Sequence, residues 1–535
     1  MRVVWSFVLL AACNANFNDD NKDPIRADSG GNGDSGGGDT DDTGTYPIDA
    51  DGDGHNSEAT GGDDCDDADP HTYPGAEELC DGVDNDCSGG TNGETDSDGD
   101  ALLDCDDYCP VFALPGATGD GRPHDPLGLL QDAVDDAGAS GCNEVRAYYG
   151  TYEENVDFHG YGVNMEAISG PASTVIDGGG DDSCIILEED GDGDTDEDNA
   201  RVAGFTITGG GGGVGAGIRI KECAPTIEDN IITGNTITTD TAGNPIGAAG
   251  GVGGGIRVYN GSPSILGNEI TLNDACIDGP EDGCDGGAID IRGGAPVVMD
   301  NVMTENTAGD GGAIWVAYSD ALIRNNWISG NEADDSAEAD GEGLERDGQG
   351  GGIDVQIGGP NGTIIENNLI TDNMASALGG GIVVYEPNSS NAKVTIANNV
   401  IAYNNVIETD WGAGFTQWNS TTPTVYNNII YGNIGVGAYA DDAASTFSFS
   451  YNLVNGNFPD YGDSSSGSDL WSSFGAGNLT GDPSFKAVSN DLDWTNDDFT
   501  LKAGSPCIDA GKPDVLDADG TRSDCGAYGG PNGAW

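Results

Sequence analysis

Positive charge is scarce in this 535-residue chain: 17 Lys and Arg stand against 94 Asp and Glu, a formal net charge of -77. So acidic a surface repels phosphate backbones, which argues against nucleic acid as a partner. Histidine is nearly missing too, and all 4 residues (His55, His71, His124, His159) precede Arg201, where a regular repeat begins. A histidine base within that repeat is therefore excluded. Past Val3–Leu10 there is no long apolar run, so nothing approaches the roughly 20 residues of a membrane-spanning helix. The repeat also lacks the 3.6-residue apolar period of helical arrays.

What the chain has is a phrase that returns from Arg201 to Asn457: N-x-apolar-x-x-N, a variable stretch, Gly-Gly or Gly-Ala, then a short strand. The Asn pairs are Asn230/Asn235, Asn268/Asn273, Asn301/Asn306, Asn326/Asn331, Asn368/Asn373, Asn399/Asn404, Asn428/Asn433 and Asn452/Asn457. Self-similarity of this kind marks a solenoid. After each Gly pair, Ile218/Ile220, Ile256/Val258, Ile289/Ile291, Ile314/Val316, Ile353/Val355 and Ile382/Val384 alternate with other residue types. Alternation sends one set to each face of a strand, so coils in register stack the branched aliphatics into an interior column. Adjacent strands would lie about 4.8 Å apart. Asn suits the corners because its amide bonds nearby backbone and tolerates left-handed geometry; stacked, the amides can bond one another along the axis.

From about Gly119 to Trp535 these features resemble the right-handed parallel β-helix of the pectin-lyase-like superfamily. The resemblance implies an all-β solenoid and says little about activity, since that fold carries lyases, hydrolases, epimerases, adhesins and spacers.

The N-terminal stretch reads as a series of modules. Residues 1–12 have Arg2, an apolar core and a small-residue end, the pattern of a signal peptide. Leu10-Ala11-Ala12-Cys13 resembles a bacterial lipobox, which implies cleavage before Cys13 and acylation of its sulfur; the alternative is a plain signal peptide. The implied partner is a membrane, reached through the lipid. The implied location is the bacterial cell envelope, on the outer membrane surface, or else the extracellular space. Residues 13–46 form an acidic, Gly-rich tether with almost nothing apolar to bury. Residues 47–110 place Asp at alternate positions among Gly and Cys: Asp49, Asp51 and Asp53; Asp64, Asp66, Asp67 and Asp69; Asp81, Asp84 and Asp86; Asp96, Asp98 and Asp100; Asp104, Asp106 and Asp107. Such carboxylates can converge hard oxygens on Ca²⁺, which takes about 6–8 of them. The EF-hand pattern fails, since Thr60 stands where a bidentate Glu belongs and Ala101 replaces the turn Gly of the later loop. The stretch is similar to the Asp/Cys-rich metal-binding repeat of bacterial surface proteins and to thrombospondin type 3 calcium repeats. A solvated acidic linker is the plain alternative. Zinc is disfavoured by the lack of C-x₂-C knuckles, and copper would have only His55 and His71 nearby. Asp190, Asp192 and Asp194 make a further acidic loop, read equally as a calcium site or as solvated chain.

Thirteen cysteines behind an export signal point to an oxidising compartment. Setting Cys13 aside leaves an even number. Cys276/Cys284 and Cys507/Cys525 are the expected local pairs, Cys184/Cys223 could bridge neighbouring coils, and the rest are left open. Residues 111–480 form the β-helix, and 481–535 are expected to cap its last coil. At the other end Asp125 and Pro126 are expected to start a short helix, with Leu130, Ala133, Val134 and Ala137 on one face, plugging the first coil.

Coils vary mainly between the second Asn and the Gly pair, at Thr236–Gly253, Asp274–Asp285 and Glu332–Gln349. Such loops would overhang a lateral groove along the Gly-Gly strands. Its candidate carbohydrate-contact residues are Arg219, Lys221, Arg257, Tyr259, Asp290, Trp315, Asp354, Tyr385 and Trp418; a mixed solvent face is the alternative. Asp290, Asp354 and Arg257 are the candidate catalytic residues. The two carboxylates lie two coils apart, about 9.6 Å, near the upper limit for an inverting pair. Against catalysis, the W-I-D-H and R-x-P-x-x-R phrases of pectate lyases are absent. Arg219-Ile220-Lys221 reproduces a polygalacturonase R-I-K, without the N-T-D and G-H-G that accompany it. The sequence thus points to a lipid-anchored, calcium-stabilised surface β-helix that binds polysaccharide. The alternative is a polysaccharide lyase or glycoside hydrolase.

Overall fold

The computed structural model describes residues 49–50, 54–58, 61–66, 68–69, 72–76, 84–88 and 109–533. Within the last span 190–195, 238–252, 276–283, 335–347, 386–392, 408–410, 419–420, 442–447, 464–474 and 490–493 are excepted. The leader, Cys13 and the tether up to residue 48 lie outside the described residues. So do Asp51, Asp53, Asp67, Asp81, Asp96, Asp98, Asp100, Asp104, Asp106, Asp107, Asp190, Asp192, Asp194 and Cys276. The chain divides into two compact units, Met1–Glu77 with Val83–Gly90, and Glu78–Gly82 with Thr91–Trp535.

The second unit is a parallel β-helix. Each regular coil lays down three strands, which stack into parallel sheets of 12, 11 and 11 strands. In one coil, Ile256–Tyr259 joins the lateral sheet, Ser264–Leu266 the second and Glu269–Thr271 the third, with Asn268 and Asn273 at the corners on either side of the last. The interior column is as the alternation requires: Ile218, Ile256, Ile289, Ile314, Ile353 and Ile382 pair in register, and each is fully buried.

Both corner asparagines form continuous amide ladders. From Asn230 to Asn452, and from Asn235 to Asn457, each Nδ2 donates to the Oδ1 one coil on at 2.8–3.1 Å. Within a ladder the backbone N–H donates to that same oxygen, and the other amide hydrogen goes to a carbonyl of the preceding coil, as at Asn306. Every polar atom of the side chain is thus satisfied, which is the condition for burying it. The residue before the first Asn of a pair has positive φ: Asp229 (54°), Asn325 (55°), Asn367 (57°), Asn398 (54°) and Asn427 (59°). Asn and Asp tolerate that left-handed geometry best among residues with a side chain.

At the N-terminal end the helix Leu130–Ala139 buries Leu130, Ala133, Val134 and Ala137 in the core, as its periodicity implies. Its start differs from the expected Asp125 cap. Asp125 and Leu127 are held in a tight turn and a bridge to Ala113, so the helix begins later. The freed N–H groups of Leu130 and Gln131 donate instead to Glu154 Oε1 and Oε2, at 2.8 and 3.1 Å. A carboxylate from a neighbouring coil replaces a local cap at the positive helix end.

The C-terminal segment, expected to cap the last coil, docks along the flank of the last coils. The outward residues Leu369, Val400, Ile429 and Leu453 of the third sheet are apolar, whereas their registered predecessor Glu269 is exposed. Phe485, Phe499, Cys507, Cys525 and Ala527 cover that strip. Burying each large apolar side chain contributes roughly 1.5–3 kcal/mol. The outward asparagines complete the dock: Asn367 Nδ2 donates to Ala527 and Gly529 carbonyls, Asn398 Nδ2 to that of Asp524, and Asn427 Oδ1 accepts from Lys512 N.

Cysteines Cys65–Cys87 and Cys109–Cys142 form disulfides, and Cys284 is disulfide-bonded. The expected Cys507/Cys525 bridge is not formed in this structure, where both are buried thiols. Cys184 and Cys223 do not bridge. They stand at opposite ends of the paired strands Ile185–Glu188 and Ile218–Lys221, with their thiols donating to the Thr208 and Leu187 carbonyls.

Candidate functional site

The outward side chains of the lateral sheet form two registered columns. One runs Arg219, Arg257, Asp290, Trp315, Asp354, Val383, Thr416 and Tyr439. The neighbouring one holds Lys221, Tyr259 and Arg292, and further on Tyr385 beside Trp418. All the carbohydrate-contact candidates therefore share one sheet, and Asp290 and Asp354 flank Trp315 on either side.

The expected open groove is not what these positions make. Asp290 and Asp354 have no exposed surface, and Trp315 and Trp418 keep 8% each. Tyr259, at 40%, is the exposed member, while Lys221, Arg292, Gln356 and Tyr385 are half-buried. The face is a buried polar layer with a partly open rim. Beyond Asp354 it turns apolar, where Val383, Trp418 and Tyr439 pack with Trp411 and Leu378.

Glycines shape the layer. Gly286, Gly311 and Gly350, at φ of 67°, 65° and 64°, double the chain back sharply. A Cβ there would lie 2.7–2.8 Å from Asp290 N, Trp315 Cβ and Asp354 Cβ respectively, so only Gly allows the approach. The fold-back sets Asp285, Asp310 and Gln349, the residues just before each Gly pair, beside the registered column. Asp285 and Asp310 bridge one another on successive coils, and Asp310 Oδ1 accepts from Gln349 N at 2.8 Å. Asp285 and Gln349 end two of the variable loops of the sequence, Asp310 lies in none of them, and none of the three stands out there as a site residue. The repeated Asp-Gly-Gly at 285–287 and 310–312 was the signal available.

The charges are then close. Arg292 Nη2 lies 2.6 Å from Asp285 Oδ2, Arg292 Nε 3.3 Å from Asp290 Oδ1, and Arg257 Nε 3.8 Å from Asp290 Oδ2. The Arg292 guanidinium carbon sits 4.4 Å from the Trp315 ring centroid, and that of Arg257 5.8 Å from the Tyr259 ring. Asp354 Oδ2 accepts from Gln356 Nε2 at 2.8 Å. Among the described residues, four buried polar atoms around Trp315 have no hydrogen-bond partner: Asp290 Oδ2, Asp354 Oδ1, Trp315 Nε1 and Gln349 Oε1; Arg219 Nε, further along the column, is instead 2.8 Å from Glu188 Oε1 in an ion pair. Burial raises the Asp290 pKa against the pull of Arg292 and Arg257. Burial, and then the Asp310 charge, push Asp354 and Asp285 well above the usual carboxylate range. Burial also lowers Arg257.

In the first unit the described acidic residues make local turns. Asp49 Oδ2 accepts from Gly54 N, Asp66 Oδ1 from Ala68 N, and Asp84 and Asp86 both from Ser88 N. Asp69 accepts from the Thr72 hydroxyl, and His55 lies 3.3 Å from Asp63 and stacks on Tyr73. Asp64 is the exception: it is buried, one oxygen accepts from Asp66 N, and Oδ2 has no hydrogen-bond partner. That orphaned oxygen, with Cys65 and Cys87 tied up as a disulfide, fits a hard cation held by carboxylates. Among the described residues no three His, Cys, Asp or Glu converge on one point.

A family model for the Cu-binding MopE type, described as a putative metal-binding motif, matches residues 64–92. A second, described as a right-handed β-helix region, matches residues 195–401. The body of the chain is a right-handed parallel β-helix. No curated protein is similar enough to count as a relative. Solved structures that resemble the chain include two polysaccharide-modifying enzymes. The pectate lyase Pel9A has 15% identity over 78% of this chain and 95% of that one, with a TM-score of 0.45. The A-module of the Azotobacter vinelandii mannuronan C-5 epimerase AlgE6 has 16% identity over 69% and 97%, with a TM-score of 0.27. The metal-binding motif and the β-helix are thus adjoining parts of one chain.

Proposed function

We propose that this protein is a lipid-anchored β-helix of the bacterial envelope that binds extracellular polysaccharide on its lateral face. Anchorage through Cys13 follows from the lipobox-like leader, and calcium is the cation we assign to the acidic first unit. The observation that carries the binding reading is the lateral layer. It sets Arg257, Asp290, Arg292, Trp315 and Asp354 together and leaves four buried polar atoms unmatched. Above it, Tyr259, Lys221, Arg292 and Tyr385 offer ring faces and charged donors to a sugar chain. Aromatic faces pack on pyranose C–H surfaces while fixed polar groups read hydroxyls or carboxylates.

A second reading has one observation in its favour. Asp290 and Asp354 flank Trp315 as two carboxyls on one sheet, the donor set of a hydrolase or lyase, although burial holds both toward the protonated form and an acid–base pair would need one of them ionised. Their complete burial would require the layer to open before a glycosidic bond could reach them. A panel of acidic and neutral polysaccharides, tested with calcium and with chelator, separates the readings. Binding without new reducing ends or unsaturated products supports the first, and released product supports the second. Failure of every polymer to bind overturns both. Tyr259→Ala and Arg292→Ala should each weaken binding about tenfold, the loss of one good contact of roughly 1.4 kcal/mol.

A further inference from the structure

The flank segment carries a pair of cysteines that the lateral site does not use. Cys507 and Cys525 are both buried thiols, and Cys525 N donates to Cys507 O at 3.0 Å, which sets the two residues side by side. Cys525 Sγ also donates to the Tyr451 carbonyl of the coil beneath, at 3.3 Å. Beside it lies a cavity of about 120 Å³ lined by Val400, Ile429, Phe499, Leu501 and Ile508. That space lets a sulfur shift without displacing packed atoms.

Two other roles fail on the same observations. Hydrogen bonding to Cys507 and then burial drive the Cys525 thiol far above its ordinary range. A nucleophile needs the opposite, a stabilised thiolate. A metal centre would need further ligands, and no third His, Cys, Asp or Glu converges with the pair among the described residues. An adjacent, uncharged thiol pair at a docking seam is left with redox chemistry.

We propose that Cys507 and Cys525, thiols in this structure, close in an oxidising compartment to a disulfide that latches the C-terminal segment onto the apolar strip of Leu369, Val400, Ile429 and Leu453. The same chain already holds Cys65–Cys87 and Cys109–Cys142 as disulfides, so the conditions that form those bonds also act here. Two S–H bonds break and one S–S bond forms. The two electrons and two protons pass to a donor disulfide of the compartment, which is cleaved to a pair of thiols. The bond closes a loop within the segment while it lies on the coils, so reduction loosens the dock and bares the strip.

The test is a peptide map of the full chain, secreted into an oxidising compartment, purified without reductant, denatured and alkylated. The peptides bearing Cys507 and Cys525 should be found cross-linked, without alkyl groups on either sulfur. Cys184, whose thiol is held on the Thr208 carbonyl, should carry alkyl in the same digest. Alkylation of both Cys507 and Cys525, or a link from either to another cysteine, overturns the proposal. Cys507→Ser and Cys525→Ser should each lower the melting temperature by about 4 °C and speed proteolysis within residues 483–533. An unchanged melting temperature and unchanged proteolysis would show that no latch exists. The map needs no variant, so a Ser protein that fails to fold leaves the proposal falsifiable.

Discussion

Two buried polar arrays lie within the same β-helix, and they are treated in opposite ways. In the corner ladders each Asn amide is matched: Asn306 Oδ1 accepts from Asn273 N and Nδ2, and its Nδ2 donates to Asn331 Oδ1 and Ile270 O. In the lateral layer Asp290, Asp354, Trp315 and Gln349 each leave a buried atom unmatched. An unmatched buried polar atom costs about 1–3 kcal/mol, so a fold keeps few of them without cause. The ladder is what stability alone selects. Among the described residues the lateral layer keeps four such atoms side by side, which fits the binding role proposed for it.

The sharpest way to break that contrast is to damage the ladder. Asn306→Ala removes two donated and two accepted bonds and leaves the Asn273 N–H donors and the Ile270 carbonyl without them, while Asn331 Oδ1 keeps only the backbone N–H of residue 306, so the fold should lose roughly 3–5 kcal/mol. Chemical denaturation of the full chain reads this as a fall in midpoint. A loss under about 1 kcal/mol would mean that water or backbone rearrangement replaces the ladder, and the contrast would collapse.

The lateral layer should respond in the other direction. Asp285, Asp290 and Asp354 have raised pKa values in the folded state, so the folded chain holds protons that the unfolded chain releases near pH 4. Their burial is tolerated fully below that pH, and stability is lost as pH climbs through the raised folded values. The wild-type melting temperature should therefore rise on acidification from about pH 7 to about pH 5, and self-repulsion of a chain with this charge adds to the rise. Asp354→Asn should be neutral or stabilising by about 1 kcal/mol at pH 7 and should flatten the rise. The same change should remove polysaccharide binding or turnover. If it destabilises by as much as the ladder variant, the carboxylate is a structural strut and the functional reading of the layer fails.

Legibility in the sequence followed the same division. The ladders and the interior column were readable because stacking repeats them at every coil, so Asn and Ile recur whatever the protein does. Asp290, Asp354 and Arg257 could be assigned to one sheet by strand alternation alone. Their burial could not, because it depends on what covers the sheet. Asp285, Asp310 and Gln349 were missed because nothing sets them apart in the sequence until the left-handed Gly pair folds them back. The flank dock was hidden for a similar reason. Leu369, Val400, Ile429 and Leu453 read as ordinary strand residues, and only register shows that they share an outer strip 30 to 160 residues from what covers it.

The smallest effect on the β-helix should come from removing metal. In the first unit the buried described residues are Asp64, Thr72 and Asn85, all polar, so among the described residues order rests on Cys65–Cys87 and on turn hydrogen bonds, to which the proposed cation at Asp64 Oδ2 would add. Small units without an apolar core depend on such staples. Chelation should therefore speed proteolytic cleavage within residues 49–88, and Asp64→Asn should reproduce that sensitivity in the presence of calcium. The β-helix has its own core and its own ladders, so its melting should shift by less than about 1 °C, within the range of a neutral surface change. A drop of many degrees would place a structural cation on the β-helix itself. The acidic pair Asp285 and Asp310 would then be the first residues to substitute, since a cation there would turn the unmatched oxygens of the lateral layer into ligands and return that layer to the matched class.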